Sequence, residues 1–292
     1  MDIATTKYRG AAAVARSLPE PVVGVLGPGV AELVALWPGE QRTMVERHQL
    51  RVDPGLAGAA LRRRVRDVFR SYGRYYAESF RLPTIPPAEL DRRLTHEGLE
   101  HIDAARARGV GPLLVLPHLG SWEWCAYWLT RVRQVPLTAV VEPLEPPELH
   151  DWFVRFRERI GMHIVPLGPH AGRSLVAAIK RVDVIALLCD RDIGGGGAEV
   201  MFFGEKTTLP SGPAVLALRT GAPLLPTAVY DRPGGHHHAV VRPPIPVERR
   251  GSVRDDVART TQAMADELEA LIRRGPEQWH LLQPNWPSDN SR

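Results

Sequence analysis

Cysteine is almost missing from this chain: two residues, Cys125 and Cys189, among 292. Each sits inside an apolar run, so no disulfide framework is implied and both read as reduced core residues in a cytosolic setting. Lysine is as scarce, because all but three of the 37 basic residues are arginine. A GC-rich genome produces such a bias, but the planar guanidinium also suits phosphate and anionic lipid better than an ammonium does. No apolar run is long enough to span a bilayer, which takes about 20 predominantly apolar residues. The nearest approach, Val22 to Trp37, is broken by Gly24, Gly27, Pro28, Gly29 and Glu32, and is expected to lie in a membrane interface rather than cross it. The first twenty residues carry charges and no uninterrupted apolar core, so no secretory signal is predicted. No Ser/Gly linker or low-complexity tract divides the chain, which is read as one domain over 1–292.

What is present is an ordinary globular composition, 44% hydrophobic and 24% charged, enough for a sizeable core. Residues 1–100 read as helical. From Ala59 to Phe80, Leu61, Val65, Val68, Phe69, Tyr72, Tyr76 and Phe80 recur near the helical period. Arg62, Arg63, Arg66, Arg70 and Arg74 cover much of the remaining surface, a face that either meets an anionic bilayer or is simply solvated. From Pro112 onward strand alternates with helix. Strands are predicted at Leu113–Leu116, Leu137–Val141, His163–Pro166, Val184–Leu188, Val200–Phe203 and Pro223–Val229, with helices from about Trp122, Glu148, Gly172 and Gly212. Asp231 to Gly235 turns the chain into His238–Val241 as a hairpin, and a last helix spans about Val253 to Arg273. The order predicts an α/β fold with a mixed, largely parallel central sheet flanked by helices, an antiparallel portion at one side, and a helical N-terminal region.

The segment Leu114 to Glu123 carries the most chemistry. A strand-type run ends at His118, and a carboxylate, Glu123, follows five residues later across Gly120-Ser121. On one continuous helix such residues point about 140° apart, so the spacing makes sense at a strand-to-helix corner. There Ser121 is expected to cap the new helix, with Glu123 in its first turn and His118 left on the strand end. An imidazole held by a carboxylate is what a general base near neutral pH requires, although the same letters also fit a surface histidine and an ordinary first-turn acid. Ligands of open α/β sheets bind beyond the carboxyl ends of strands, where Glu142 and Asp190-Arg191-Asp192 also fall.

Asp190 and Asp192 have two readings: they orient His118, or they hold a divalent metal against a nucleotide-sugar diphosphate, as the D-x-D of sugar transferases does. Gly194 to Gly197 form either a backbone cradle for an oxyanion or phosphate, or a flexible loop. His236-His237-His238 invites a metal, but adjacent residues of a strand face opposite ways, so no metal ligands are assigned. Cys125, seven residues beyond His118, is expected on the inward side of its helix as an inert thiol. Trp122, Trp124, Trp128, Trp279 and Trp286 build either an apolar trough or core.

Several segments between about Leu50 and Trp286 together resemble one family, the lipid acyltransferases that modify lipid A, and in particular the actinobacterial phosphatidylinositol mannoside acyltransferases. They are Ser71 to Tyr76, Phe80-Arg81-Leu82-Pro83, Leu116 to Glu123, Phe153 to Glu158, Asp190-Arg191-Asp192, Phe202 to Glu205, Gly212-Pro213-Ala214 and Trp279 to Pro284, in the family's order. The resemblance implies a glycerolipid acyltransferase fold and a peripheral enzyme at the cytoplasmic face of the inner membrane, with residues 1–100 associating with the membrane and 101–286 as catalytic core. It implies acyl-CoA as co-substrate, no cofactor and no metal. The family's H-x4-D/E motif falls on His118 and Glu123, and its acid before Arg-Asp falls on Asp190. The arginine of its F-V-x-x-R-E segment falls on Arg157, implying a thioester or CoA contact, and its glycine after the acidic turn falls at Gly196 and Gly197. Departures are Glu123 for the commoner Asp, Ser121 where Asn is usual, and Pro143 after Glu142 where a basic residue is more familiar; they bear on the acceptor rather than on the chemistry.

The reading that follows is an acyl-CoA-dependent O-acyltransferase of phospholipid metabolism. It moves a palmitoyl-like chain to a hydroxyl of an anionic membrane glycolipid, the mannose of a phosphatidylinositol mannoside. His118, Glu123 and Asp190 are the catalytic candidates; Arg157, Glu142, Arg191, Asp192, Gly196 and Gly197 are the substrate-binding ones. Rival readings are a metal-dependent glycosyltransferase, an acyltransferase with another lipid or natural-product acceptor, and a non-catalytic protein that binds anionic lipid. Nucleic acid is not expected as a partner, because the arginines are scattered through a chain that holds 33 acids.

Overall fold

The computed structural model describes residues 3–290; the outermost residues of the expected domain, 1–2 and 291–292, lie outside the described residues. The N-terminal part is built from helices α1 (Ile3–Ser17), α2 (Glu20–Leu36), α3 (Glu40–Val52), α4 (Gly58–Arg81) and α5 (Pro87–Arg92). Then come β1 (Leu94–Glu97), α6 (Leu99–Ala107), β2 (Leu113–Leu116), α7 (Trp122–Arg131), β3 (Leu137–Val141), α8 (Pro147–Arg159), β4 (Met162–Pro166), α9 (Ala171–Lys180) and β5 (Val184–Leu188). The remainder is β6 (Ala198–Phe202), β7 (Glu205–Leu209), α10 (Gly212–Thr220), β8 (Leu224–Arg232), β9 (His236–Val241) and α11 (Val253–Arg273). The central sheet has seven strands in the order β1-β9-β8-β2-β5-β3-β4, and only β8 and β9 pair antiparallel.

Alternation along the buried strands explains the layers. Leu113 and Val115 of β2, with Ile185 and Leu187 of β5, face the core shared with α9, α10 and α11, while Leu114, Leu116, Val184 and Ala186 face the core shared with α6 and α7. Both faces of the inner strands are therefore apolar, as parallel sheets require. α2 lies across α4 at a contact that only small residues permit. A Cβ on Gly73 would meet the Gly27 carbonyl oxygen at 2.4 Å, and one on Gly27 would meet Ala77 Cβ at 2.7 Å.

Three strands, β1, β6 and β7, differ from the sequence reading. β1 falls inside the region read as helical and joins the sheet edge parallel to β9; its burial pattern shows one buried and three exposed residues, which leaves no alternation to detect. β6 does not extend the main sheet but pairs with β7 in a separate hairpin. Phe203 and Gly204, with φ of 51° and 76°, form its two-residue turn, the left-handed geometry that matches strand twist. Among the described residues no single helix is long and apolar enough to cross a membrane; α2 and α3 reach that length and composition only as a pair bent by 94°.

Candidate active site

β2 and β5 are neighbours in the sheet, with Leu116 paired to Leu188. The chain runs on for two residues beyond each, so His118 and Asp190 emerge side by side. His118 Nδ1 lies 2.6 Å from Asp190 Oδ1, and the His118 backbone N–H donates to Asp190 Oδ2 at 3.0 Å. The indole N–H of Trp279 donates to that same Oδ2 at 2.7 Å. Asp190 is fully buried, and burial by itself raises a carboxyl; the charge of His118 and the hydrogen bonds from His118 and Trp279 outweigh it and hold the group below the usual carboxylate range. An ionised Asp190 makes Nδ1 the donor and leaves Nε2 of the imidazole free to accept a proton.

The corner between β2 and α7 is held by backbone. Gly120 has φ +58°, and a Cβ there would meet the Val229 carbonyl oxygen at 1.9 Å, so the close approach of this loop to β8 requires glycine. The C-terminal segment returns to the corner: Gly120 N–H donates to the Gln278 carbonyl at 2.9 Å, and His280 N–H to the His118 carbonyl at 2.7 Å. Ser121 occupies the N-cap position of α7 but makes no capping bond; its hydroxyl donates instead to Glu78 Oε2 at 3.2 Å. The expected cap is thus corrected, because a half-buried acid on α4 competes for the hydroxyl.

Glu123 turns away from the histidine. Its carboxylate accepts from Ser79 Oγ at 2.9 Å and from Arg157 Nε and Nη2, each at 2.9 Å. The imidazole–Glu123 pairing expected from the spacing is therefore replaced by His118–Asp190. Arg157 still lines the cavity beside His118, but its guanidinium is committed to Glu123. Burial acts to lower the Arg157 pKa, and the Glu123 charge, with Tyr75 and Tyr76 nearby, reverses this and leaves it raised. Glu142 and Arg191 come together as an ion pair of 2.5 Å across the ends of β3 and β5. In the glycine loop, the N–H groups of Gly195 and Gly197 donate to Asp192 at 3.2 and 2.9 Å, so these two are spent on the loop itself. Gly196 and Gly197 nevertheless line the cavity.

That cavity has a volume of ≈ 750 Å³. Its lining includes the apolar Leu144, Leu149, Phe153, Leu175 and Leu216 and the basic His118, Arg157, Arg191 and Arg219, with the acids Glu142 and Asp192. Of the tryptophans only Trp122 lines it, whereas Trp124, Trp128, Trp279 and Trp286 are buried core. Cys125 is buried as expected, and desolvation pushes its thiol up to about 12. The sequence reading missed the contribution of α4, whose Tyr72, Tyr75 and Tyr76 also line the cavity while Ser79 grips Glu123 and Ser71 Oγ lies 2.9 Å from His280 Nε2. Burial pushes the His280 imidazole down to about 4. A signal for this was available, since Ser71, Tyr72, Tyr75, Tyr76 and Ser79 share an arc of about 140° on the helix, polar groups on its inward side.

Comparison with known proteins bears on what this arrangement does. The model of the family described as bacterial lipid A biosynthesis acyltransferase matches residues 6–288. A phosphatidylinositol mannoside acyltransferase of Mycobacterium tuberculosis H37Rv is 41% identical over 226 residues, 76% of this chain and 69% of that protein. One of the same name from Mycolicibacterium smegmatis is 36% identical over 230 residues, 78% of this chain and 73% of its own. A lipid A biosynthesis acyltransferase of Haemophilus influenzae is 29% identical over 198 residues, 65% of this chain and 58% of its own.

Proposed function

Because the chain belongs to the bacterial lipid A biosynthesis acyltransferase family, we propose that it is an acyl-CoA-dependent O-acyltransferase whose acceptor is a membrane glycolipid, the mannose of a phosphatidylinositol mannoside. The observation that carries the reading is the His118–Asp190 pair opening onto a cavity lined by both apolar side chains and arginines. The apolar side chains suit a palmitoyl-like chain, and Arg219, with Arg191 beside Glu142, suits the phosphates of CoA or of the acceptor. Nε2 of His118 takes the proton of the acceptor hydroxyl as its oxygen attacks the thioester carbonyl carbon. The carbon–sulfur bond then breaks, and the imidazolium returns the proton to the departing thiolate. Asp190 holds the tautomer and offsets the imidazolium charge; Glu123 acts at one remove, by fixing Arg157 in the cavity wall. No acyl-enzyme and no metal enter these steps. The D-x-D reading loses support because both oxygens of Asp190 bond His118 and Trp279, and both of Asp192 bond the glycine loop.

The test is to incubate the protein with palmitoyl-CoA and total lipid from its source, with EDTA present and well below its melting temperature, and to identify the product by mass spectrometry. A palmitoylated mannoside lipid is expected. Transfer that stops in EDTA and resumes with manganese or magnesium would return the case to the glycosyltransferase.

Peripheral attachment to the cytoplasmic face of the membrane is part of the same reading. Leu26, Val30, Leu33 and Trp37 follow one another at helical spacing on α2 and just past its end, and all four are exposed, Trp37 by 75%. An apolar helix face beside exposed Arg62, Arg63, Arg66 and Arg70 of α4 suits an anionic interface. The full-length protein is expected to sediment with anionic vesicles, and high salt to weaken that binding. Leu33→Glu combined with Trp37→Glu should release it while hydrolysis of soluble acyl-CoA persists. Truncating the first 40 residues is a poorer test, since Tyr8 of α1 lines the cavity. Indifference to anionic vesicles, or extraction by detergent alone, would end the interfacial reading.

A further inference from the structure

A second cluster of chemistry-bearing side chains lies behind the corner. Asp231 and His237 face each other across the β8–β9 ladder, and both point inward, at 5% and 1% exposure. His236 is exposed and His238 half-buried, so one histidine of the three-histidine run is delivered to the interior, as strand alternation dictates. Glu78 of α4 completes the group, with one donor atom from each of the three residues within 4.8 Å of the other two. The ring of Trp124 packs against the imidazole at 4.2 Å between centroids.

The cluster has more lone pairs than donors. Asp231 Oδ2 and His237 Nε2 are both buried without a hydrogen-bond partner. Leaving such groups unpaired is costly, because each has given up its water without a replacement. A divalent cation removes the deficit, because it accepts lone pairs from all three side chains at once. Asp231 Oδ1 lies 3.2 Å from Nδ1 and Glu78 Oε2 lies 3.7 Å from Nε2, so the two acids flank the ring, and an ion here takes one ring nitrogen and one oxygen from each acid, atoms that lie within 4.8 Å of one another.

We propose that Glu78, Asp231 and His237 bind one zinc ion. Zinc takes imidazole nitrogen and carboxylate oxygen as ligands, and the Ser121 hydroxyl, which donates to Glu78 Oε2 at 3.2 Å, holds one of these acids in place. The ion ties α4 and the β8–β9 hairpin to the N-terminus of α7, next to the corner that carries His118. It takes no part in acyl transfer, and its failure would leave the reading of the His118 cavity intact.

The experiment is to purify the full chain without chelator, measure its metal by inductively coupled plasma mass spectrometry, strip it, and follow the melting temperature as zinc is returned. The expected result is about one zinc per chain, a lower melting temperature after stripping, and recovery with zinc but not magnesium. Cobalt(II) in the stripped protein should give the visible absorption of a four-coordinate site. Glu78→Gln and His237→Gln should each weaken zinc retention by at least about tenfold. If His237→Gln does not fold, Glu78→Gln decides alone, since that side chain is 21% exposed at the edge of the cluster. A chain that retains no zinc and does not respond to it, or a Glu78→Gln protein that holds zinc as tightly as the parent, overturns the proposal.

Discussion

His118→Ala is expected to leave a folded protein that transfers acyl groups about 10²- to 10⁴-fold more slowly, the range that a positioned general base contributes. The imidazole is a third exposed, at 32%, so its loss opens no core cavity; the chain should stay folded with a lower melting temperature, because buried Asp190 keeps the Trp279 and backbone N–H bonds but loses its imidazole partner. Asp190→Asn should be nearly as damaging for a different reason. An amide carries no charge to offset the imidazolium and competes as a donor, so Nδ1 is no longer held as the N–H and Nε2 no longer faces the acceptor as a base. It too should cost stability, because Asp190 is fully buried and accepts from His118 and Trp279. Steady-state transfer of palmitoyl from palmitoyl-CoA, read beside thermal melting, separates lost chemistry from lost fold. A folded His118→Ala protein with the parent's rate would sink the mechanism.

Glu123→Gln should reduce activity through the fold rather than through the chemistry. The change leaves Arg157, whose side chain is 14% exposed, without its carboxylate and removes the charge that Ser79 also bonds. Breaking one side of such a buried pair costs about 3–5 kcal/mol. For a chain of this size that lowers the melting temperature by roughly 10 °C. The second substitution Arg157→Met should recover much of the stability, since removing both charges avoids the orphan, yet should not restore transfer if Arg157 belongs to the cavity wall. A Glu123→Gln protein that melts like the parent but has lost a His118-like factor in rate would show instead that Glu123 acts directly on the histidine.

The two predictions differ because of a distinction that the spacing of residues 118 and 123 does not contain. Five residues across a corner place Glu123 on the first turn of α7, but which way that turn faces depends on what packs against it. Here α4 supplies Ser79, and α8 supplies Arg157. The arginines that make α4 a candidate lipid-facing helix are exposed at Arg62, Arg63, Arg66 and Arg70 and half-buried at Arg74. The inner side of α4, with Ser71, Tyr75 and Ser79, builds the site. The short strands β1 and β7 escaped for a simpler reason: Leu94-Thr95-His96-Glu97 and Glu205-Lys206-Thr207-Thr208-Leu209 are too polar and too short to stand out from loop.

Local chemistry was written along the chain. Apolar runs bounded by glycine and proline marked β2, β3, β4, β5 and β8, and a histidine and an acid just past two of those runs marked where a ligand would sit, because side-chain periodicity and turn chemistry act over a few residues. Which strands lie side by side is decided by hydrogen bonds between segments far apart in sequence, and nothing in either segment alone names its neighbour. β2 pairs with β5, some 70 residues on, with Leu116 opposite Leu188, and that register sets His118 against Asp190. The same non-local packing set Glu123 against Arg157 and carried one histidine of three inward to Asp231 and Glu78.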